Sequence, residues 1–482
     1  MNMTAEEYRD EGLRLYYTDR DKAVDCFLKA AEGKDIVAAL KLADYFYYLK
    51  KDKKSAKEWI DKAENWFEEA GQPEKLNRMM AEAINMRGLI YKENAPYLAT
   101  CDFAFAIDLG MIEAYASYGE MVYKGYDSAD GEPEVDRGLS LWKYGMEQGS
   151  EECAKLYFEH QFEQTPEDAK EVKFKNGNNY KGQLNEEGLP HGSGRMKYNL
   201  NGYIGEYVGQ WSNGKRCGMG KYTQSNKGFG SKHTYEYIGE WLDDKEHGQG
   251  CSTNADERGV HLSTFHTVHI GSFKDGKANG HGVLLKDSWD GYFAGEPDRY
   301  EGEFVNGCLQ GFGTCQYANG DYYEGEFKGC SKSGHGTHSF ANGLKLVGEW
   351  EGDFPVFESI HCDESVKTPV LLVKELKSGM DYTHRNSYLI IPKCGEIRYK
   401  DAIMFQIGSR IDPEEVRLTV NELTDDSITF TVHETWVKLD PSSVTLHRGE
   451  QKEYREESEH SVTIEGDEIE YTSEYRLNLY CI

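Results

Sequence analysis

No stretch of this chain is long and apolar enough to span a bilayer as a helix, which takes about 20 consecutive apolar residues. The amino terminus, Met1-Asn2-Met3-Thr4 running into Glu6 and Glu7, lacks the basic start and apolar centre of a secretory signal. Basic charge is scarce: 55 Lys and Arg stand against 84 Asp and Glu, for a formal net charge of −29. That field repels polyanions, so nucleic acid is not expected as a partner, and anionic lipid is disfavoured overall. Proline is limited to 11 residues against 51 glycines, 33 tyrosines and 38% hydrophobic residues, which excludes collagen-like and disordered compositions. Eleven cysteines run from Cys26 to Cys481 without a Cys-x-x-Cys pair, indicating neither a disulfide framework nor a thiolate zinc site. A reducing cytoplasm is the expected setting, with no cofactor.

At 482 residues the chain exceeds what one core fills, so several domains or a repeat array is expected. Thr4 with Glu7 reads as a capping box, followed by a helical face of Tyr8, Leu13, Leu15 and Tyr16. Gly33, Gly71, Gly110 and Gly149 then recur at spacings of 38, 39 and 39 residues. Each is expected to end the second helix of a pair in the left-handed conformation. Ala38, Ala114 and Ala154 follow where stacked pairs approach closely, and Trp59, Trp66, Phe67 and Trp142 are read as core. The segments Phe27-Leu28-Lys29-Ala30-Ala31-Glu32-Gly33 and Leu141-Trp142-Lys143-Tyr144-Gly145-Met146-Glu147-Gln148-Gly149 resemble the Sel-one-like branch of the tetratricopeptide repeats. That resemblance implies an α-solenoid over residues 1–165 that holds peptide or protein partners. The third unit departs from it with Phe103-Ala104-Phe105-Ala106-Ile107, which leaves its helix-pair register open.

From Tyr180 the helical period gives way to an aromatic-x-Gly-x-aromatic phrase, whose alternation puts its first, third and fifth residues on one strand face. Turn dipeptides follow, as in Asn213-Gly214, Asp275-Gly276 and Asn306-Gly307, each leading into a Gly-x-Gly, so every unit reads as a β-hairpin. Successive first positions are Tyr180, Tyr207, Tyr237, His269, Tyr300, Tyr323 and Leu346, spaced 27, 30, 32, 31, 23 and 23 residues apart. This closely resembles the membrane occupation and recognition nexus (MORN) repeat, which implies an elongated, twisted antiparallel sheet over residues 174–354. The expected repeat-structural residues are Tyr180, Gly182, Tyr207, Gly209, Trp211, Tyr237, Gly239, Trp241, Gly271, Phe273, Tyr300, Gly302, Phe304, Tyr323, Gly325, Phe327, Gly348 and Trp350. The longer first spacings are expected to hold extra loops on one edge. Residues 355–482, with runs such as Val416–Val420 and Ile428–Val432 around Thr424-Asp425-Asp426, read as a small antiparallel β-sandwich of no recognised family. The fold class is therefore a multidomain α+β repeat protein.

One segment reverses the charge: residues 173–232 hold ten basic residues against Glu186, Glu187 and Glu206, about +7. Arg195, Lys197, Lys215, Arg216 and Lys221 are its candidate contacts for an acidic protein, an anionic lipid surface, or the chain's own acidic parts. Candidate chemistry is thin. Gly228-Phe229-Gly230-Ser231-Lys232 lacks the Lys-Ser/Thr order of a phosphate loop, and His261, His266, His269 and His281 have poor spacing for a shared metal on a strand. His191, His247, His281 and His335, each followed by glycine, recur with the repeat and read as structural. The leading expectation is a non-enzymatic scaffold or adaptor that binds other proteins or itself. A membrane-peripheral tether using the basic segment is the alternative, and an enzyme with its centre in residues 355–482 is the third reading. Limited proteolysis is expected to cut between Gln161 and Lys173, separating two independently folded repeat regions; resistance there, with one cooperative transition for both, would contradict the division.

Overall fold

The structure is a computed structural model, and it describes residues 3–16, 19–128, 131–161, 169–200, 203–226, 231–258, 265–288, 298–317, 319–341, 343–356, 359–362, 370–378, 383–390, 395–397, 402–405, 417–424, 426–433, 443–464 and 467–481. The chain divides into two compact units, Met1–Glu163 and Gln164–Ile482.

The first unit is helical: α1 (Ala5–Leu15), α2 (Arg20–Glu32), α3 (Ile36–Asp44), α4 (Lys53–Glu69), α5 (Asn77–Tyr91), α6 (Pro96–Asp108), α7 (Ala114–Tyr123), α8 (Val135–Glu147) and α9 (Glu151–Glu159). At its start the Glu7 amide donates to Thr4 Oγ1 at 3.2 Å and the Thr4 amide to Glu7 Oε2 at 2.7 Å, closing the capping box. The helices pair as α1–α2, α3–α4, α5–α6 and α7–α8, and Phe103–Ile107 lies inside α6, so the divergent third unit keeps the pairing. Gly71, Gly110 and Gly149 have φ of 77°, 93° and 95°, and the next amide in each case bonds five residues back, to Phe67, Ala106 and Gly145.

Gly33 does not take that conformation. Its φ is −89°, and the left-handed residue is Lys34 at 61°, with the Asp35 amide closing on the Ala30 carbonyl. What excludes a side chain at Gly33 is close helix approach, since a Cβ there would lie 2.6 Å from Ala5 Cβ. The same constraint recurs inside helices. A Cβ on Gly12 or Gly88 would stand 2.6 Å from the ring of Phe27 or Phe103, and one on Gly119 would stand 2.6 Å from Trp142 Nε1. Ala38, Ala114 and Ala154 are fully buried, as are Phe67 and Trp142, whereas Trp59 and Trp66 are half-buried against the same cores. Across α4, α5 and α6, Arg87 bonds Asp102 through Nε (3.0 Å) and Nη2 (2.8 Å), and also reaches Asp61 (2.8 Å) and Glu64. A guanidinium this buried is tolerated because its donors meet carboxylates.

The second unit begins with the array: β1 (Lys170–Lys173), β2 (Asn179–Leu184), β3 (Pro190–Leu200), β4 (Tyr203–Ser212), β5 (Lys215–Asn226), β6 (Ser231–Leu242), β7 (Lys245–Arg258), β8 (Phe265–Lys274), β9 (Lys277–Ser288), β10 (Arg299–Val305), β11 (Cys308–Gln316), β12 (Tyr322–Lys328), β13 (Ser331–Ser339), β14 (Lys345–Glu351) and β15 (Phe354–Pro355). These strands pair antiparallel in strict sequence order, and β16 (His361–Cys362) adds to β14. Asn213-Gly214, Asp243-Asp244, Asp275-Gly276, Asn306-Gly307, Gly329-Cys330 and Gly352-Asp353 all have positive φ at both positions, the twist a two-residue hairpin needs. The longer early spacings come largely from longer strands, 10 to 14 residues in β3 to β9 against 7 to 9 in β10 to β13, where extra loops were expected.

Beyond the array, β17 (Leu371–Ser378), β18 (Thr383–Ile390), β19 (Gly395–Ile397), β20 (Ala402–Phe405), β21 (Arg417–Leu423), β22 (Ser427–His433), β23 (Ser443–His447), β24 (Gln451–Ile464) and β25 (Asp467–Cys481) form two sheets, ordered β20-β18-β17-β25-β24 and β19-β21-β22-β23. Asp425 lies outside the described residues. Val370 and Tyr480 pack into the core that closes the end of the array with Leu346 and Trp350.

The two kinds of helical glycine are separable by mutation. Gly88→Val is expected to cost about 2–3 kcal/mol through overpacking against Phe103. Gly71→Ala, with open space but a left-handed backbone, is expected to cost only about 1 kcal/mol. Equal losses in urea denaturation would contradict the close-approach role of Gly88.

Candidate functional site

The array is organised around a row of glycines. Gly182, Gly194, Gly209, Gly220, Gly239, Gly250, Gly271, Gly282, Gly302, Gly313, Gly325, Gly336 and Gly348 stand directly opposite one another from β2 to β14. A Cβ on Gly209 would meet Gly220 Cα at 2.5 Å, and one on Gly220 would meet the Tyr207 hydroxyl at 2.3 Å. Each leading tyrosine therefore lies flat across a glycine pair, in the volume two side chains would fill. Its hydroxyl then donates to the carbonyl three residues on, at 2.8 Å for Tyr180, 3.0 Å for Tyr207, 2.9 Å for Tyr237, 3.2 Å for Tyr300 and 3.3 Å for Tyr323. A buried hydroxyl without such an acceptor would lose hydrogen bonding that water supplies.

The closing aromatics stand on edge between these rings. From Tyr180 through Trp211, Tyr207, Trp241, Tyr237, Phe273, His269, Phe304, Tyr300, Phe327 and Tyr323 to Trp350, neighbouring rings are 4.5–5.5 Å apart and tilted by 78–89°. Trp211 and Trp241 also donate to the carbonyls of Gly194 and Gly220 at 3.1 and 3.0 Å. The Gly-x-Gly phrase has two jobs. Its second glycine belongs to the row, while its first (Gly192, Gly218, Gly248, Gly280, Gly311 and Gly334, φ 56–102°) makes the bulge after each turn. The bulge amide is met from the facing strand: Gln183, Gln210 and Glu240 accept from the amides of Ser193, Met219 and Gln249 at 3.0, 3.2 and 2.8 Å.

The basic residues fall into two places. Lys181 faces Arg195, Arg195 and Lys221 both face Val208, and Lys197 faces Glu206, so Lys181, Arg195, Lys197 and Lys221 share the face opposite the ring ladder. Their carboxylate neighbours there are Glu206, 3.7 Å from Arg195 and 3.8 Å from Lys197, and Glu236, 3.3 Å from Lys221. Lys215 and Arg216 lie instead at the turn edge, paired with Asp243 (3.0 Å) and Asp244 (3.2 Å). Arg216 is mostly covered and stacks its guanidinium 4.1 Å over Trp241. Farther along the same face, Ile238, Cys251, Val268, Ile270 and Val283 are buried.

Two polar insertions interrupt the ladder, and of these the sequence shows only His269, at a leading repeat position. Where Arg216 stands in the second repeat, Lys332 stands in the sixth. Its Nζ lies 4.7 Å over Tyr323 and 3.2 Å from His338 Nδ1, and His338 Nε2 is 3.3 Å from Asp321 Oδ2. Burial pushes the lysine down to about 8 and the histidine down to about 4, so Lys332 donates to neutral His338, which donates to Asp321. Asp321 also accepts from the Ala341 amide and from Asn319 Nδ2, each at 3.0 Å, and the group reads as a polar plug in the core. His269 takes a tyrosine's place over Gly282, and neither of its ring nitrogens finds a hydrogen-bond partner among the described residues.

Of the other histidines, His191 and His247 precede the bulge glycine, whereas His281 and His335 sit between the two glycines, exposed and near Glu303 (3.5 Å) and Glu349 (2.9 Å). They occupy two distinct repeat positions. His261 and residues 227–230 of the glycine-rich stretch lie outside the described residues. No helix among the described residues is long and apolar enough to cross a membrane, which leaves strands unaddressed.

Hairpins that pair only with their sequence neighbours, over a shared row of glycines and rings, define a β-repeat protein. The chain carries six MORN repeats, at residues 180–199, 207–229, 237–256, 269–291, 300–322 and 323–345. Leu346, Gly348 and Trp350 continue the row and the ladder past the last matched residue. No curated protein matches the chain. Among solved structures, a Sel1 repeat protein from Oxalobacter formigenes is similar at 19% identity over 32% of this chain and 62% of that one, with a TM-score of 0.26. That likeness spans under two thirds of the solved chain.

Burial holds His269 down to about 4, below its ordinary 6.5. A folded value below the unfolded one stabilises above about pH 6.5, and that contribution is lost as pH falls toward 4. Between about pH 7.5 and 5 the wild type is expected to lose roughly 2 kcal/mol more than His269→Tyr, which restores a hydroxyl donor for the Ser272 carbonyl. Parallel pH profiles in urea denaturation would refute the assignment.

Proposed function

We propose that the protein is a non-enzymatic interaction scaffold of the reducing cytoplasm. In this reading residues 1–165 and 174–354 are separate binding regions, and residues 355–482 form a third domain. Repeat arrays of these kinds serve in general to hold other proteins. The observation that carries the reading is the division of labour in the array. The recurrent tyrosines, tryptophans and glycines are buried in the ladder, while Lys181, Arg195 and Lys197 stand exposed side by side on the opposite face. Arg195 and Lys197 share one long contact to Glu206, so their charge is only partly met.

We infer an acidic protein surface as the partner of this patch. A short row of cations in register across strands suits a protein of complementary spacing, and the rest of the chain, at about −36, opposes approach to a uniformly anionic membrane. Lys215 and Arg216 belong to the turn ties and the ladder, so they are left intact in the test. Reversing Lys181, Arg195 and Lys197 to glutamate is expected to reduce partner capture from cell extract at least fivefold at low ionic strength. The melting temperature should change little, since exposed charges contribute little to folding. Unchanged capture would sink the patch. Binding of the unmodified chain to phosphatidylserine vesicles, lost in the same variant, would make the tether reading the better one.

A further inference from the structure

The hairpin turns are tied to one another along their edge of the sheet. The amides of Gly214, Asp244, Gly276, Gly307, Cys330 and Asp353 donate to the carbonyls of Pro190, Arg216, Glu246, Ala278, Leu309 and Lys332, at 2.8–3.1 Å. Every turn thus hangs from the strand that follows the turn before it. Side chains add a second tie at the same steps. Asn185 reaches Asn213 at 3.0 Å, Lys215 reaches Asp243 at 3.0 Å, and Lys245 reaches Asp275 at 3.0 Å. The strand amides of Arg216 and Lys332 donate to the carboxylates of Asp244 and Asp353 at 2.9 and 2.6 Å.

Between the fifth and sixth repeats, one position from each of the two kinds of tie holds cysteine. Cys308 is the first residue after its turn, the place of Lys215 and Lys245. Cys330 is the second residue of the next turn, the place of Asp244 and Asp353, and it accepts the Leu309 amide on Sγ at 3.3 Å. Both are free and exposed, and the Cys330 thiol is hydrogen-bonded to that of Cys308. Cys330 also sits at φ 71°, a region that disfavours a side chain, and the turn holds it against its neighbour.

We propose that Cys308 and Cys330 form a modification site, a dithiol that closes to a disulfide by exchange with a small-molecule disulfide and so staples the fifth repeat to the sixth. One thiolate attacks a sulfur of the small disulfide, forming a mixed disulfide and releasing one small thiol. The second thiolate then attacks the protein sulfur of that mixed disulfide and releases the other small thiol. Two protein S–H groups and one small S–S bond become one protein S–S bond and two small thiols, so the small disulfide is reduced as the protein is oxidised. Burial and the bond to Cys308 raise the Cys330 thiol above its ordinary range, which leaves little thiolate at neutral pH. Closure should therefore speed up about tenfold per pH unit over the neutral to mildly alkaline range. The Lys215–Asp243 and Lys245–Asp275 ties are ionic and weaken with salt, whereas this one responds to oxidant.

The test treats the full chain with glutathione disulfide, blocks remaining thiols with N-ethylmaleimide, and maps peptides without reduction. The expected result is a cross-linked Cys308–Cys330 peptide that forms ahead of any other product, reverses with dithiothreitol, and raises the melting temperature of the array. Cys308→Ser should instead leave glutathione on Cys330, with no oxidation-dependent melting shift. Separate glutathione adducts on both cysteines of the wild type, or an unmodified pair while exposed Cys101 reacts, would overturn the proposal. The wild-type map decides the matter even if a serine variant folds poorly.

Discussion

The array rests on an absence, the missing Cβ at paired glycines. Only where two strands both lack a side chain can a tyrosine ring lie across their backbones, and only there can its hydroxyl reach the carbonyl three residues on. The acceptor lies on the tyrosine's own strand, whereas the cleared volume needs glycine on both strands. A one-residue slip would put a side chain under the ring, so the packing sets the register. The closing Trp or Phe then stands on edge between consecutive rings, which carries the register from each hairpin to the next.

Because each hairpin meets only its neighbours, the array behaves as a one-dimensional stack, and local substitutions have local consequences. His269 keeps the shape of the ladder but loses the hydroxyl bond. Leu346 keeps burial without a ring, where Val370 and Tyr480 of the following segment close the end of the core. Arg216 and Lys332 insert cations among the rings. Each is tolerated for its own reason: Arg216 reaches Asp244 and the turn edge, and Lys332 is held by neutral His338 and Asp321.

The charges show what a linear count leaves out. The basic segment has about ten cations against three acids when counted along the chain, yet Glu236, Asp243 and Asp244, which neutralise Lys221, Lys215 and Arg216, lie beyond its end. Antiparallel pairing places residues some 15 to 30 apart in sequence within a few ångströms, so the electrostatic unit is a patch of sheet. The same pairing sets Lys181, Arg195 and Lys197 together and removes Lys215 and Arg216 to the turn edge.

The sequence by itself determined the periodic features: the helical recurrence at 39 residues from Gly71 to Gly149, the capping box, the turns at Asn213-Gly214, Asp275-Gly276 and Asn306-Gly307, and the aromatic-glycine phrase. These are legible because each depends on a local backbone requirement or on the alternation of a strand. The tertiary structure alone decided the rest. Gly12, Gly33 and Gly88 answer to rings or methyls on another helix, and the two glycines of Gly-x-Gly divide between bulge and row. The buried Lys332 trio and the adjacent thiols of Cys308 and Cys330 likewise exist only through packing and cross-strand register. Which residues meet across strands depends on where each hairpin turns and bulges, and one inserted residue is enough to change the partner.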